Sequence, residues 1–185
     1  HKNGGIIINS RLKNQIICAV LAAVTAVLSQ IQVPIGPVPI NLAMLSVFIA
    51  GGLLSPNLAA LSQLIFVLLG AIGLPVFAGF SGGIGVLAGP TGGYIAGYIA
   101  AAWLTSFIIK KSGSKSIVIV VLAMIAGLAV CYTLGTAWFV YSRKVSIAKA
   151  LMLCVVPFLI GDALKIAAAS LISQRLKRIK QLALQ

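Results

Sequence analysis

Asp162 and Lys165 are the residues of this sequence with the clearest capacity for chemistry. Asp162 is the only acidic residue in the chain, and both residues lie in the largely apolar segment "PFLIGDALK", 157–165. Residues three positions apart share one face of a helix, so their charged groups are neighbours. A charged pair inside an apolar helix either fixes the packing of the bundle or binds a polar ligand. As a ligand site, the carboxylate would accept hydrogen bonds from N–H donors, and the ammonium group would donate to a carbonyl or anionic oxygen.

The remaining residue types exclude the familiar catalytic sets. The chain has no second carboxylate to form an acid–base pair with Asp162 and no phosphate-binding G-x-x-x-x-G-K-[ST] loop. Its one histidine is at position 1, and its three cysteines lie in separate apolar runs without the spacing of metal ligands. We therefore expect a protein that is not an enzyme, needs no metal or cofactor, and depends on another chain for any ATP hydrolysis.

The elements that position the pair are predicted to be membrane helices. Of the 185 residues, 61% are hydrophobic and 8% are charged, whereas a soluble domain is about 25% charged. Crossing a bilayer takes about 20 mostly apolar residues. The six apolar runs bounded by charge, Pro or Gly are 12–33, 40–55, 57–73, 87–109, 116–140 and 146–173. We predict an all-α polytopic membrane protein, with one six-transmembrane-helix domain at 12–175 and tails at 1–11 and 176–185.

The basic residues predict the orientation of this bundle. The net charge is +13, from 14 Lys and Arg and one acidic residue. Ten of the basic residues lie before or at the start of the first run, after the last run, or between the fourth and the fifth. Six crossings place those three regions on one face, and basic loops stay on the cytoplasmic side. Both termini are therefore predicted to be cytoplasmic, and the charge is attributed to topology and anionic lipid rather than to nucleic acid.

Two uncharged loops at the opposite end are predicted to cap a pocket. They are "QVPIGPVPIN", 32–41, and the glycine-rich segment that leads into the fourth run. Irregular backbone at membrane depth is tolerated only where it is buried in protein or lines a cavity. We expect positions 33–40 and 79–85 to close the pocket. Glycines at 85, 89, 93 and 97 recur every four residues, a spacing that on a helix permits close approach of a neighbouring helix or a ligand.

Aromatic residues could supply the apolar walls of such a pocket. Tyr94 and Tyr98 lie one turn apart, and Tyr132 lies about two turns before Trp138 in "CYTLGTAW". Each could equally be a packing residue or part of the aromatic belt at the membrane interface.

The first run carries two pairs of small residues at helical spacing. They are Ala19 with Ala23 and Ala22 with Ala26. Small residues four positions apart allow close helix contact, either within the bundle or with another membrane subunit. The spacing does not separate these two interpretations.

Three segments together resemble one family of membrane proteins. "GLPVFAG", "GPTGGY" and "GDALK", in this order, resemble the substrate-binding subunits (S components) of energy-coupling factor (ECF) transporters for biotin, and the resemblance covers nearly all of 12–175. It implies a subunit of the bacterial plasma membrane that binds biotin with high affinity from outside. It further implies delivery inward with a transmembrane coupling protein and two cytoplasmic ATPases. Ala19 and Ala23 match the family's docking surface for the coupling protein.

The same resemblance implies which residues bind the substrate. The ureido ring of biotin has two N–H donors and one carbonyl acceptor, which Asp162 and Lys165 could satisfy together. The carboxylate of biotin would suit Lys165 equally well, so the end of biotin that meets Lys165 is left open. The full set of substrate-binding residues that we expect is Asp162, Lys165, Asn41, Tyr94, Tyr98 and Trp138.

The chain departs from the family pattern at one place. Where the pattern has Thr and then Gln after "PVP" and one apolar residue, this chain has Asn41 and Ala43. This departure leaves open an S component for another vitamin. The single carboxylate in a membrane helix separately leaves open a proton-coupled secondary carrier in which Asp162 titrates.

Overall fold

The computed structural model describes residues 10–34, 37–113 and 116–182. Residues 1–9 and 183–185 of the two predicted tails lie outside the described residues. The same is true of positions 35–36 in the first predicted capping loop and of positions 114–115 in a basic loop.

Helices form nearly all of the described chain. They are α1 (Ser10–Gln30), α2 (Ala43–Leu53), α3 (Pro56–Ala71), α4 (Ile84–Ala88), α5 (Gly92–Ser112), α6 (Ile117–Arg143), α7 (Ile147–Cys154) and α8 (Leu159–Leu182), with a 3-10 turn at Val156–Phe158. Two short strands, β1 (Gln32–Val33) and β2 (Ile40–Asn41), pair antiparallel between α1 and α2. The predicted all-α class is confirmed.

Four of the described helical stretches are long and apolar enough to cross a membrane. They are Leu12–Gln30, Gly92–Ser112, Ile117–Arg143 and Ile147–Lys177. The apolar helices α2 and α3 are shorter, at 11 and 16 residues. At about 1.5 Å per residue, α2 is well short of the ~30 Å hydrocarbon core. The protein is thus a multi-pass membrane protein, while six crossings with both termini cytoplasmic stay a prediction.

Two of the predicted helical runs are interrupted at prolines. The run at 146–173 is divided into α7 and α8 at Pro157, and the run at 87–109 is divided into α4 and α5 beside Pro90. Proline lacks the backbone N–H that continues a helix, yet it hardly changes the hydropathy of a run. The prediction of one continuous helix at 146–173 was therefore wrong. The helix α8 also continues to Leu182, so residues 176–182 of the predicted C-terminal tail are helical.

The helix α5 packs against α2, α3 and α6. Glycines permit its close contact with α6. A Cβ atom at Gly97 would lie 3.1 Å from Cys131 Sγ, and one at Gly93 would lie 2.9 Å from the Leu134 carbonyl oxygen. A Cβ atom at Gly85 would meet open space. The predicted glycine stripe therefore serves helix packing at Gly93 and Gly97, and it does not extend to Gly85.

Candidate functional site

The bundle contains a cavity of about 190 Å³, here called the central cavity. Aromatic side chains form much of its wall, and these are Phe66, Phe77, Tyr94, Tyr98, Tyr132 and Phe158. Polar side chains also reach it, and these are Ser29, Asn41, Ser81, Thr91, Asp162 and Lys165. A pocket with mostly apolar walls and a few convergent polar groups is the usual form of a small-molecule site.

The ion pair predicted from the sequence lies in this wall. Lys165 Nζ lies 2.7 Å from Asp162 Oδ1, and the two side chains are only 7% and 4% exposed. The Tyr132 hydroxyl of α6 donates a hydrogen bond to the other carboxylate oxygen, Oδ2. Each oxygen of Asp162 therefore has one protein partner, and the Tyr132 contact joins α6 to α8.

The break at Pro157 explains why a carboxylate is tolerated here. Because α8 begins at Leu159, Asp162 lies in its first turn. The N-terminal end of a helix carries a partial positive charge that stabilises a nearby anion. Together with Lys165 and Tyr132, this helix end compensates the cost of burying the charge.

The ion pair retains hydrogen-bonding capacity for a ligand. A carboxylate has about four lone-pair sites, and Lys165 has three N–H donors. Among the described residues, contacts within the protein use one site on each carboxylate oxygen and one donor of Lys165. The pair as a whole has no net charge, so it suits a neutral polar group that both donates and accepts.

The aromatic wall is fixed by its own contacts. Phe66 and Phe77 meet edge to face, with ring centroids 5.5 Å apart, and Tyr98 lies 6.4 Å from Phe66. The Tyr94 hydroxyl lies 3.1 Å from Thr136 Oγ1 of α6. The wall residues are therefore held in place by neighbouring helices.

Asn41 lies at the end of β2, where it lines the cavity and contacts the first residue of α2. Its Oδ1 accepts a hydrogen bond from the backbone N–H of Ala43 at 3.0 Å, and its side chain also interacts with Tyr98. Asn41 thus lines the same cavity as Asp162 and Lys165, as the sequence analysis predicted. Its binding role stays a prediction.

Trp138, in contrast, does not line the central cavity. Its indole Nε1 donates to the Gly89 carbonyl oxygen at 2.8 Å, and its side chain is 36% exposed. Six residues separate it from Tyr132, which at about 100° per residue turns it to another face of α6. The placement of Trp138 along the pocket is therefore corrected: Trp138 secures the α4–α5 turn.

Both predicted capping loops contribute to the cavity wall. Val38 and Pro39 come from the first loop, and Ser81 comes from the second. The second loop is attached to the end of α1 through Gln30, whose Oε1 accepts from Phe80 N at 2.8 Å and whose Nε2 donates to Val76 O at 3.0 Å. These hydrogen bonds thus fix the loop at 76–81 to the C-terminal end of α1.

Several wall residues were outside the predicted site. Tyr132 was named only as a possible wall aromatic, because its contact with Asp162 spans 30 positions and leaves no local pattern. Phe66 and Phe77 look like ordinary membrane-helix and loop residues in the sequence. Within the ranges that the structure describes, no group of three His, Cys, Asp or Glu residues lies together to hold a metal ion.

The two alanine pairs of α1 point in different directions. Ala19 and Ala23 are exposed, next to the exposed side chains of Val20 and Val27. Ala22 is 1% exposed and packs in the bundle. Only the Ala19–Ala23 pair is therefore open to contact with another membrane subunit.

These features define a class of protein: a small helical membrane protein with an aromatic cavity that contains a buried ion pair. More particularly, the chain belongs to the BioY family, whose model matches residues 4–181. It is 42% identical over 167 residues to the probable biotin transporter BioY of Pyrococcus horikoshii, covering 90% of this chain and 98% of that protein. It is 38% identical over 170 residues to the biotin transporter BioY of Thermotoga maritima, covering 91% and 98%.

A solved structure agrees with this assignment. The crystal structure of the S component for biotin from an ECF-type ABC transporter matches with a TM-score of 0.87 and 29% sequence identity. The match covers 94% of this chain and 95% of that one. The resemblance noted from the sequence is confirmed.

Proposed function

We propose that this protein is the biotin-binding S component of an ECF-type, ATP-driven importer in a bacterial plasma membrane. The observation that carries the proposal is the Asp162–Lys165 pair, bonded to Tyr132 and set in an aromatic cavity. Membership of the BioY family and the likeness to a solved biotin S component support it.

The neutral ureido ring of biotin is the part that fits the ion pair. Its N–H groups donate to the remaining lone pairs of Asp162, and its carbonyl accepts from Lys165. The carboxylate of biotin would meet repulsion from Asp162 at the same place. The apolar thioether ring and valeryl chain then lie against Phe66, Phe77 and Tyr98, and the carboxylate is left to neutral donors such as Asn41 and Thr91.

The energy for uptake is supplied by partner proteins in this proposal. The sequence has no phosphate-binding loop for ATP. The exposed Ala19 and Ala23 allow close approach of a helix of the transmembrane coupling protein, which in turn carries two cytoplasmic ATPases. The protein itself binds and delivers the vitamin and catalyses no reaction.

The first test is a calorimetric titration of biotin into the detergent-purified protein, with thiamine as a second ligand. We expect tight binding of biotin, no binding of thiamine, and a loss of biotin affinity of about 100-fold in Lys165→Gln, since truncating a buried charged partner costs 2–5 kcal/mol. Lys149→Gln is the matched control, because Lys149 is exposed on α7.

Each failure has a separate meaning. Binding of another vitamin in place of biotin would keep the S-component class and replace the substrate. Uptake into liposomes driven by a pH gradient, without partner proteins, would favour the carrier in which Asp162 titrates. Unchanged affinity in Lys165→Gln would remove the ion pair from the site.

A further inference from the structure

The outer surface of α5 carries a second concave site, an apolar groove that shares no residue with the central cavity. Ala96 and Ala100 of α5 line it, with Ala60 of α3 on one side and Val130 of α6 on the other. Trp103 lies at the end of the groove that faces the C-terminus of α5. Every lining residue is apolar, so an occupant from the bilayer would be a hydrocarbon chain.

A ladder of exposed side chains leads from this groove to the end of α5. Trp103, Phe107 and Lys111 recur every four residues and therefore share one face. The rings of Trp103 and Phe107 are stacked, with centroids 5.0 Å apart and planes 8° apart. Lys111 Nζ lies 5.8 Å from the centre of the Phe107 ring, within the range of a cation–π contact.

The cations at the end of the ladder have no acidic partner in this chain. Lys110 and Lys111 form the basic last turn of α5, and both are exposed. Asp162 is the only acidic residue in the sequence, and it is buried against Lys165. The partial negative charge at the C-terminal end of α5 stabilises these two ammonium groups in part. They remain available to an anion from outside the chain.

The distance between the cations and the groove matches one lipid chain. Lys111 follows Ala100 by eleven positions, which is about 16 Å at ~1.5 Å per residue. One leaflet contributes about half of the ~30 Å hydrocarbon core. If the phosphate lies at Lys111, an acyl chain that runs along Phe107 and Trp103 would therefore end beside Ala100.

We propose that α5 binds one anionic phospholipid at this surface. Its phosphate lies at Lys110 and Lys111, and one acyl chain follows the aromatic ladder into the groove. The predicted orientation places these lysines in the cytoplasmic leaflet, where anionic lipids attract basic groups near the membrane.

Native mass spectrometry of the full chain with equal amounts of phosphatidylglycerol and phosphatidylcholine tests this proposal. We expect one phosphatidylglycerol to be retained in preference to phosphatidylcholine. Lys111→Gln should lower phosphatidylglycerol affinity about fivefold, since one Lys near an anionic surface contributes about 1 kcal/mol. Ala100→Leu should shorten the groove and reduce retention of both lipids, with biotin binding as the check that the variant is folded.

Lys144→Gln is the matched control, because Lys144 is an exposed cation that follows α6, away from the groove. An equal loss of phosphatidylglycerol in Lys144→Gln and Lys111→Gln would overturn the proposal, since it would indicate attraction to the overall charge. Equal retention of the two lipids would also overturn it. A third result would also overturn the proposal: a dimer that contains no lipid and that dissociates in Ala100→Leu. That result would show that a second copy of the chain occupies the groove.

Discussion

Two buried polar clusters lie in this bundle, and they differ in charge and in surroundings. The first is the central-cavity cluster of Asp162, Lys165 and Tyr132. The second, here called the α1–α3 cluster, joins three helices: Thr25 Oγ1 of α1 lies 2.9 Å from Ser46 Oγ of α2 and 3.3 Å from Gln63 Oε1 of α3. Both are shielded from solvent, but of the two only the first contains ionised groups and lines the central cavity.

The α1–α3 cluster is closed by contacts within the protein. Ser46 Oγ also lies 3.3 Å from the Leu21 carbonyl oxygen, and Gln63 Nε2 donates to Ser62 Oγ at 3.1 Å. Its members are neutral and fully buried, and they do not line the central cavity. Burial with partners on every side is typical of a structural network, whereas a charged group with spare donors and acceptors beside a cavity is typical of a ligand site.

The strongest test of this comparison is Asp162→Asn. It leaves Lys165 buried without a counter-charge, which should lower the free energy of unfolding by about 3–5 kcal/mol and reduce biotin affinity at least about 100-fold. Combining it with Lys165→Met removes the unpaired charge, so stability should recover while biotin binding does not. Thermal unfolding and calorimetry in detergent measure the two effects. Recovery of biotin binding in the double variant would show that the pair serves packing alone.

The second test is Tyr132→Phe, which removes the hydroxyl that bonds Asp162 and leaves the ring. A hydrogen bond to a charged group contributes about 1.5–3 kcal/mol, so biotin affinity should fall about 10- to 100-fold. Because Tyr132 positions the carboxylate, the loss should be smaller for a biotin analogue with weaker N–H donors at the ureido position. Tyr141→Phe is the control, since Tyr141 is 77% exposed. Equal affinity of the two variants for biotin would contradict the positioning role.

The two clusters also show what the sequence could and could not predict. The Asp162–Lys165 pair was predictable because its spacing of three is local and its carboxylate is unique in the chain. Tyr132 depends on how α6 lies against α8, which no short pattern records. The α1–α3 cluster was not predicted at all, because isolated Thr, Ser and Gln residues in apolar runs have no signature of their mutual contact.

The helix boundaries also differ in how far the sequence could predict them. The apolar runs predicted the membrane helices well in the long segments, since hydropathy depends on composition. Pro157 lies in an apolar run, and its effect on the backbone is invisible to hydropathy. The resulting start of α8 at Leu159 is nevertheless what brings a helix N-terminus to Asp162.

The third test addresses the α1–α3 cluster through Thr25→Val. This variant keeps the side-chain shape and removes a hydroxyl shared by Ser46 and Gln63, so the free energy of unfolding should fall by about 1–2 kcal/mol. Biotin affinity should not change. Thr133→Val is a closely matched control, because Thr133 Oγ1 makes the same 2.8 Å bond to the carbonyl four residues earlier but is exposed and has no described partner on another helix. A loss of biotin affinity in Thr25→Val would show that this cluster is part of the binding machinery.

The smallest expected effect is that of Trp138→Phe, which tests the boundary of the binding site. Trp138 donates to Gly89 O from outside the central cavity, so its loss should cost about 0.5–1.5 kcal/mol of unfolding free energy. Biotin affinity should stay within about twofold, in contrast to Tyr132→Phe six residues earlier on the same helix.

The effect of Tyr94→Phe on biotin affinity should lie between those of Trp138→Phe and Tyr132→Phe, because Tyr94 lines the cavity while its hydroxyl bonds Thr136. If Trp138→Phe weakened biotin binding as much as Tyr132→Phe, the α4–α5 turn that Trp138 secures would belong to the site, and the two faces of α6 would no longer be functionally distinct.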